Sequence, residues 1–351
     1  MTGKQIARRL LVVGGIWTLL NVYVGAHLHP YGPLAAAATL ILAWLPLAAF
    51  VAGRSTWRGR RALEWAGYVA MGLSSMLIVF FALADVLHLH NVSAAILGGS
   101  LALTLVGMLQ ARRPRVVHVT VPIRDLPGDL QGFRIAQLSD LHVGPTIRRR
   151  FVESVVRRTN GLAPHLVAVT GDVADGLVPE LREHVAPLGG LVAPHGTFFV
   201  TGNHEYFWDV RGWTSELARL GVDVLQNEHR LVVRGNGRLL LAGVTDLSAA
   251  SDPVQALAGA PESDVRVLLA HQPKSAYAAR DAGFDLQLSG HTHGGQYFPF
   301  NLLVRLFQPF VAGLHRLERM WLYVSRGTGY WGPPLRLLAP SEITLIELVA
   351  A

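Results

Sequence analysis

An α/β fold preceded by four transmembrane helices is the class this sequence predicts, and three observations predict it. Of 351 residues, 51% are hydrophobic, which is high for a wholly soluble chain. The excess is concentrated in four apolar stretches, near Leu10–His27, Pro33–Ala52, Leu63–Leu87 and Val92–Leu109. From about Val116 the texture changes to short β-branched or aliphatic runs alternating with polar helical segments, the pattern of layered α/β folds. The expected division is a transmembrane domain over 1–115 and a second domain over 116–351.

Each apolar stretch approaches or exceeds the roughly 20 residues that cross a bilayer as a helix. The loops between them alternate in charge. Lys4, Arg8 and Arg9 precede the first; Arg54, Arg58, Arg60 and Arg61 separate the second from the third; Arg112, Arg113 and Arg115 follow the fourth. The loops around His29–Gly32 and His88–Asn91 hold no Lys or Arg. The positive-inside rule therefore places the N-terminus, the middle loop and everything after Arg115 in the cytoplasm. Arg8-Arg9 before an apolar run also fits a cleaved or twin-arginine signal, but no convincing cleavage site follows and three more spans do.

Charge narrows the function classes. Residues 1–115 carry ten Lys/Arg against Glu64 and Asp85, a surplus of +8, whereas the remainder is close to neutral. A nucleic-acid partner would require the surplus on the second domain, so none is expected. The chain has no Cys, which removes disulfides, thiolate catalysis and Cys-ligated zinc.

Strands are expected at Val117–Val121, Arg134–Leu138, Leu166–Thr170, Thr197–Val200, Arg230–Val233, Leu239–Val244, Arg266–Ala270, Leu286–Leu288, Trp321–Ser325 and Ile343–Leu348, with helices over 147–160, 179–188, 212–220, 253–259 and 274–282. Five polar clusters follow expected strands: Ser139-Asp140-Leu141-His142, Gly171-Asp172, Gly202-Asn203-His204-Glu205, His271-Gln272-Pro273 and Gly290-His291-Thr292-His293-Gly294-Gly295. Ligands gather at strand carboxyl ends in open α/β sheets, so these clusters are expected to converge on one site. Carboxylate, amide oxygen and neutral imidazole together suit Mn, Fe or Zn rather than Mg or Ca. An isolated Asp or Gly-Asp is more often a turn or helix cap, and only the five clusters together outweigh that reading.

In this order the five blocks resemble the calcineurin-like metallophosphoesterase superfamily, over about Val116 to Ile346. The resemblance implies a β-sandwich flanked by helices and two divalent metal ions, with manganese favoured. It assigns Asp140, His142, Asp172 and His293 to one metal, and Asp172, Asn203, His271 and His291 to the other, Asp172 bridging. It makes His204 the catalytic histidine that stabilises the phosphoryl group or protonates the leaving oxygen; the plainer reading of His204 is a hydrogen-bonding neighbour of the ligands. Glu205 and Asp175 are expected to support the ligands or to be solvated. His118, His165, His184, His195, His229 and His315 read as surface or packed residues.

A narrower likeness, to a bacterial membrane-associated phosphodiesterase branch, rests on Leu130–Ile135, Gly290–Gln296, Ser325–Gly329 and Pro334-Leu335-Arg336. It implies a phosphate-containing substrate, lipid-linked by preference, alongside the lipid bilayer as partner; a soluble cyclic nucleotide or phosphoprotein, or a non-catalytic sensor, are the alternatives. Phe298–Leu314, rich in Phe and Leu with only Arg305 charged, reads first as buried core and second as an apolar lip at the membrane. Trp331 and Arg336 would line the same entrance, Arg336 pairing with a substrate phosphate. His27, His29, His88 and His90, with Asp85, read as interface residues, with an external metal or proton-sensing site as the bolder alternative.

Overall fold

The computed structural model describes residues 3–53, 57 and 59–351; Arg54 and Arg58 of the middle basic loop, and the side chains of Lys4, Arg8 and Arg9, lie outside it. The chain forms two compact units. One comprises the described residues as far as Leu109 together with Gly332–Leu337; the other is Gln110–Trp331 with Leu338–Ala351.

The first unit holds α1 (Gly3–Leu28), α2 (Pro33–Ala52), α3 (Arg60–Val86) and most of α4 (Ser93–Ala111). All four are long and apolar enough to cross a membrane. Small residues let the helices approach: a Cβ on Gly67 would strike the Ala49 methyl group. Buried polar side chains inside the unit bond to backbone carbonyls, as Thr39 and Ser75 do, or to one another. Asn21 and Ser74 are both fully buried and share a hydrogen bond. Of the loop histidines, only His27 meets Asp85, at 3.2 Å, where the Tyr23 hydroxyl also donates at 2.5 Å. His29, His88 and His90 are exposed and join no metal-like cluster among the described residues.

Two six-stranded sheets form the second unit. One contains β1 (Arg115–Ile123), β2 (Phe133–Leu138), β3 (Leu166–Val169), β4 (Thr197–Phe199), β5 (Asp223–Val224) and β12 (Glu342–Ala350), in the order β1-β12-β2-β3-β4-β5. The other contains β6 (Glu228–Arg234), β7 (Gly237–Gly243), β8 (Val265–Leu269), β9 (Leu286–Ser289), β10 (Gly313–Leu317) and β11 (Met320–Val324), in the order β10-β11-β9-β8-β7-β6. Ile135, Leu166 and Phe198 of the first meet Leu241, Val267 and Leu288 of the second in one core, so the sheets are packed face to face. Helices cover the outer faces. Against the first lie α5 (Arg149–Gly161), α6 (Val178–Val185) and α8 (Val210–Arg219), through Val152, Leu181 and Trp213. Against the second lies α9 (Ala276–Asp281), through Ala276 and Ala279.

The helix-flanked β-sandwich is thus the architecture, and the ten expected strands are all present. Two strands escaped the sequence pattern. β5 has only two residues, too few to show a period, and β10 is half-exposed with a mixed pattern. The helix expected over 253–259 is a single 3-10 turn at Gln255–Leu257. Two short helices were unexpected, α7 (Asn203–Trp208) and α10 (Phe300–Leu303). α10 also corrects the reading of Phe298–Leu314 as buried core, for Leu302, Leu306 and Phe307 are 58%, 75% and 73% exposed.

Candidate metal centre

All five polar clusters sit where a strand ends. Asp140 and His142 follow β2, Asp172 follows β3, Asn203 and His204 begin α7 after β4, His271 follows β8, and His291 and His293 follow β9. Parallel pairing of β2, β3 and β4, and of β7, β8 and β9, brings these ends out on one side of each sheet. Asp140, His142, Asp172, His291 and His293 all adopt positive φ, between 48° and 71°. Five non-glycine residues in that disfavoured region at one place are strain held by the surrounding fold, as functional sites often hold it. Space is equally tight. A Cβ on Gly290 would overlap the Ser139 and Asp140 side chains, so only glycine lets β9 end this close to β2.

Three groups of potential ligand atoms result, in each of which the atoms lie within 4.8 Å of one another: Asp140, His142 and His293; His142, Asp172 and His204; and Asp172, His271 and His291. Asp172 therefore sits between two imidazole pairs. Its Oδ2 is 3.2 Å from His271 Nε2 and 3.8 Å from His142 Nε2, while His293 Nε2 is 3.4 Å from Asp140 Oδ1.

Neighbouring hydrogen bonds decide which ring nitrogens face inward as lone pairs. His271 Nδ1 meets the Thr170 carbonyl at 2.7 Å and His142 Nδ1 meets Asp175 at 3.1 Å, so each neutral ring carries its proton on Nδ1. Nε2 of both rings then faces the Asp172 carboxylate, a position that calls for a proton or a metal cation between nitrogen and oxygen. Asn203 adds a second sign, since its Oδ1 is buried without a hydrogen-bond partner among the described residues. Electrostatics agree. Burial disfavours charge on His142 and His271, yet Asp175 and Asp172 outweigh it and hold the two imidazoles up at about 9 and about 10. Burial, helped by His271, pushes His291 down to about 4. A largely buried pocket that favours positive charge and offers carboxylate, amide and imidazole donors fits divalent metal ions.

A model of the calcineurin-like phosphoesterase family matches residues 133–295, the stretch that holds all seven candidate ligands. An uncharacterized metallophosphoesterase of Aquifex aeolicus is 32% identical over 243 residues, covering 67% of this chain and 91% of that protein. The chain belongs to the calcineurin-like phosphoesterase family. A transmembrane protein with metallophosphoesterase domain from Danio rerio is 40% identical over 265 residues, which is 71% of this chain and 61% of its own length. An uncharacterized metallophosphoesterase of Helicobacter pylori is 38% identical over 245 residues, 68% of this chain and 64% of its own length. The chain thus spans about three fifths of the length of several curated relatives it matches.

Within this metallophosphoesterase domain, two carboxylates do more than their sequence context shows. Asp175 meets both His142 Nδ1, at 3.1 Å, and His204 Nδ1, at 2.6 Å, and so orients a candidate ligand and the candidate catalytic histidine together. His142 and His204 hold its carboxyl down at about 2 against the effect of burial. Glu205 is fully buried and accepts from the backbone N–H groups of Asp172, Val173 and Gly202 at 2.7–3.0 Å. It thereby clamps the turn after β3 to the start of α7, although burial and Asp172 push its carboxyl up to about 7. Its place three residues after Gly202, at the third position of α7, is a capping pattern that signals such a role.

Around His204 the surface is aromatic. The Phe207 ring lies 5.2 Å and the Trp331 ring 5.8 Å from it, and both are mostly exposed. Arg336 requires a correction. Expected at the substrate entrance, it is fully buried, and its backbone N–H bonds to the Gly107 carbonyl of α4 within the helical unit. A guanidinium sealed in this way cannot meet a substrate phosphate. Of the remaining histidines, His165 accepts from the Arg134 N–H at 2.8 Å and His184 contacts Arg148 at 2.6 Å, both packing roles.

Proposed function

We propose that this chain is a membrane-anchored phosphohydrolase that cleaves phosphodiester or pyrophosphate bonds, with its catalytic domain on the cytoplasmic side. The observation that carries this reading is the Asp172 carboxylate shared by two imidazole groups, with the unpartnered Asn203 Oδ1 beside it. Asp140, His142, Asp172 and His293 would hold one divalent ion and Asp172, Asn203, His271 and His291 the other, manganese being the favoured metal. Such ions supply Lewis-acid polarisation of the phosphoryl oxygens and lower the pKa of attacking water.

The chain's own residues do the rest. His204, oriented by Asp175, protonates the leaving oxygen or stabilises the phosphoryl group as the water oxygen bonds to phosphorus and the ester or anhydride bond breaks. Asp175 holds the ring so that Nε2 faces the reacting centre, and Glu205 fixes the loops that carry Asp172 and His204. The preferred substrate is a lipid-linked phosphate. Phe207 and Trp331 beside His204, and the exposed apolar run Phe300–Phe307 that follows the last candidate ligands, support it. The anchoring and orientation rest on the four apolar helices and the basic loops next to them.

The test is hydrolysis by purified protein in detergent of bis-p-nitrophenyl phosphate, a phosphomonoester, a cyclic nucleotide and a lipid pyrophosphate, with and without Mn²⁺. Preference for the lipid pyrophosphate upholds the phosphohydrolase and its lipid-linked substrate. Preference for a soluble member retains the phosphohydrolase and discards the lipid substrate, and absence of turnover with metal bound overturns the enzyme.

A further inference from the structure

At the edge of the first sheet the chain forms a half-open pocket of about 280 Å³. One wall is polar. Arg115 at the start of β1, Arg326 just after β11, and Ser341 and Glu342 at the start of β12 form it. The other wall includes Val117 and Leu338, and Leu338 is 71% exposed.

Each polar group has a defined state. Glu342 is almost fully buried, yet both its oxygens are engaged: Oε2 takes Arg326 Nη1 at 3.0 Å, and Oε1 accepts the Tyr323 hydroxyl at 2.7 Å. Glu342 and Arg326 therefore neutralise one another, and the pair holds the Arg326 guanidinium in place, leaving Arg115 as the surplus positive charge of the wall. Arg115 is exposed and belongs to no ion pair among the described residues. Ser341 is fully buried, and its Oγ has no hydrogen-bond partner among the described residues. An unmet buried hydroxyl is unfavourable, and in the same lining as the exposed Arg115 guanidinium it is consistent with an acceptor-rich ligand.

Position in the chain says where such a ligand comes from. Arg115 follows Ala111, the last residue of α4, by four residues, so no more than about 14 Å of extended chain separates them. Arg112 and Arg113 lie between, completing a basic run directly after a helix of membrane-crossing length. Basic clusters in that position attract anionic lipid.

We propose that this cavity binds a phosphate-bearing anion through Arg115, Arg326 and Ser341, and that the anion is the headgroup of a membrane lipid, with Val117 and Leu338 against its glycerol end. The site is separate from the metal centre and its occupation does not depend on turnover. It also offers a route of influence, since a Cβ on Gly294, next to His293, would lie 3.0 Å from the Arg326 side chain.

Removing Arg326 would strand the buried Glu342 and risk misfolding, so the test uses Arg115, with Arg113 as a charge-matched control. The full chain in neutral detergent is titrated with short-chain phosphatidylglycerol or phosphatidylcholine, and bound lipid is counted by native mass spectrometry. Phosphatidylglycerol is expected to bind more tightly, and Arg115→Glu to weaken it about tenfold while Arg113→Glu changes it less than about twofold. Loss of phosphatidylglycerol in millimolar inorganic phosphate, with the same dependence on Arg115, supports the phosphate site but makes free phosphate its ligand. Retention in that phosphate supports the lipid source. Equal weakening by the two substitutions, or no preference for the anionic lipid, overturns the proposal, because either result reduces the cavity to general surface charge.

Discussion

At the scale of single residues, the centre depends on which nitrogen of each imidazole is committed outward. Thr170 and Asp175 accept from Nδ1 of His271 and His142, and the inward placing of each Nε2 follows from that. Asn203→Ala removes an oxygen that has no other partner and is expected to lower hydrolysis of bis-p-nitrophenyl phosphate by more than about 100-fold, since loss of even an outer partner of a metal ligand costs about 10–100-fold. Asp175→Asn should lower kcat by about 10–100-fold while the metal content, measured by plasma mass spectrometry, stays near that of the parent. Loss of the metal in that variant would mean that Asp175 acts through His142 rather than through His204. The seven candidate ligands were legible because their blocks have characteristic order and spacing. The grip of Asp175 on two rings was not, because a carboxylate three residues beyond Asp172 carries no mark of what it will face.

At the scale of elements, strand ends supply the ligands and helices hold the strands. Trp213 on α8 is fully buried and its Nε1 donates to the Gly176 carbonyl at 2.9 Å, just beyond Asp175. Trp213→Ala is expected to destabilise the sandwich unit by about 3–5 kcal/mol, read from denaturant unfolding, and to loosen the turn that carries Asp175. Metal should stabilise the same turns. Ligand at a thousandfold excess over Kd contributes about 4 kcal/mol, so chelation is expected to lower the calorimetric Tm of this unit by roughly 10 °C and re-addition of Mn²⁺ to restore it. An unchanged Tm would show that the turns hold their positive φ angles without any ion. Most strands were legible from their aliphatic runs. α10 was not, because four residues are too few to display a helical period and its apolar side chains read as core.

At the scale of the whole molecule, a chain with four apolar helices also exposes a second apolar surface at Phe300–Phe307. If that surface admits acylated substrates, replacing both Leu306 and Phe307 by Asp should lower turnover of a lipid pyrophosphate in mixed micelles, relative to bis-p-nitrophenyl phosphate, by about tenfold or more, given about 1.5–3 kcal/mol for each large apolar side chain buried. An unchanged ratio would count against a lipid entrance there. Orientation is tested separately: a reporter active only in the cytoplasm, fused after Ala351, should be active, as the basic loops predict.

Composition and pattern alone determined that the chain carries four apolar helices followed by a layered α/β domain with five polar clusters after its strands, and the resemblance of those clusters to a known family supplied the sandwich and the seven candidate ligands. Those features are local: hydrophobic length, strand period and motif spacing are all written in neighbouring residues. Tertiary structure alone decided that Asp172 stands between two imidazole pairs, that Asp175 and Glu205 hold them, that Arg336 is sealed among helices and that Arg115 and Arg326 share a cavity. These depend on contacts between residues tens to hundreds of positions apart, and a side chain's burial and partners are properties of what packs against it rather than of its own type.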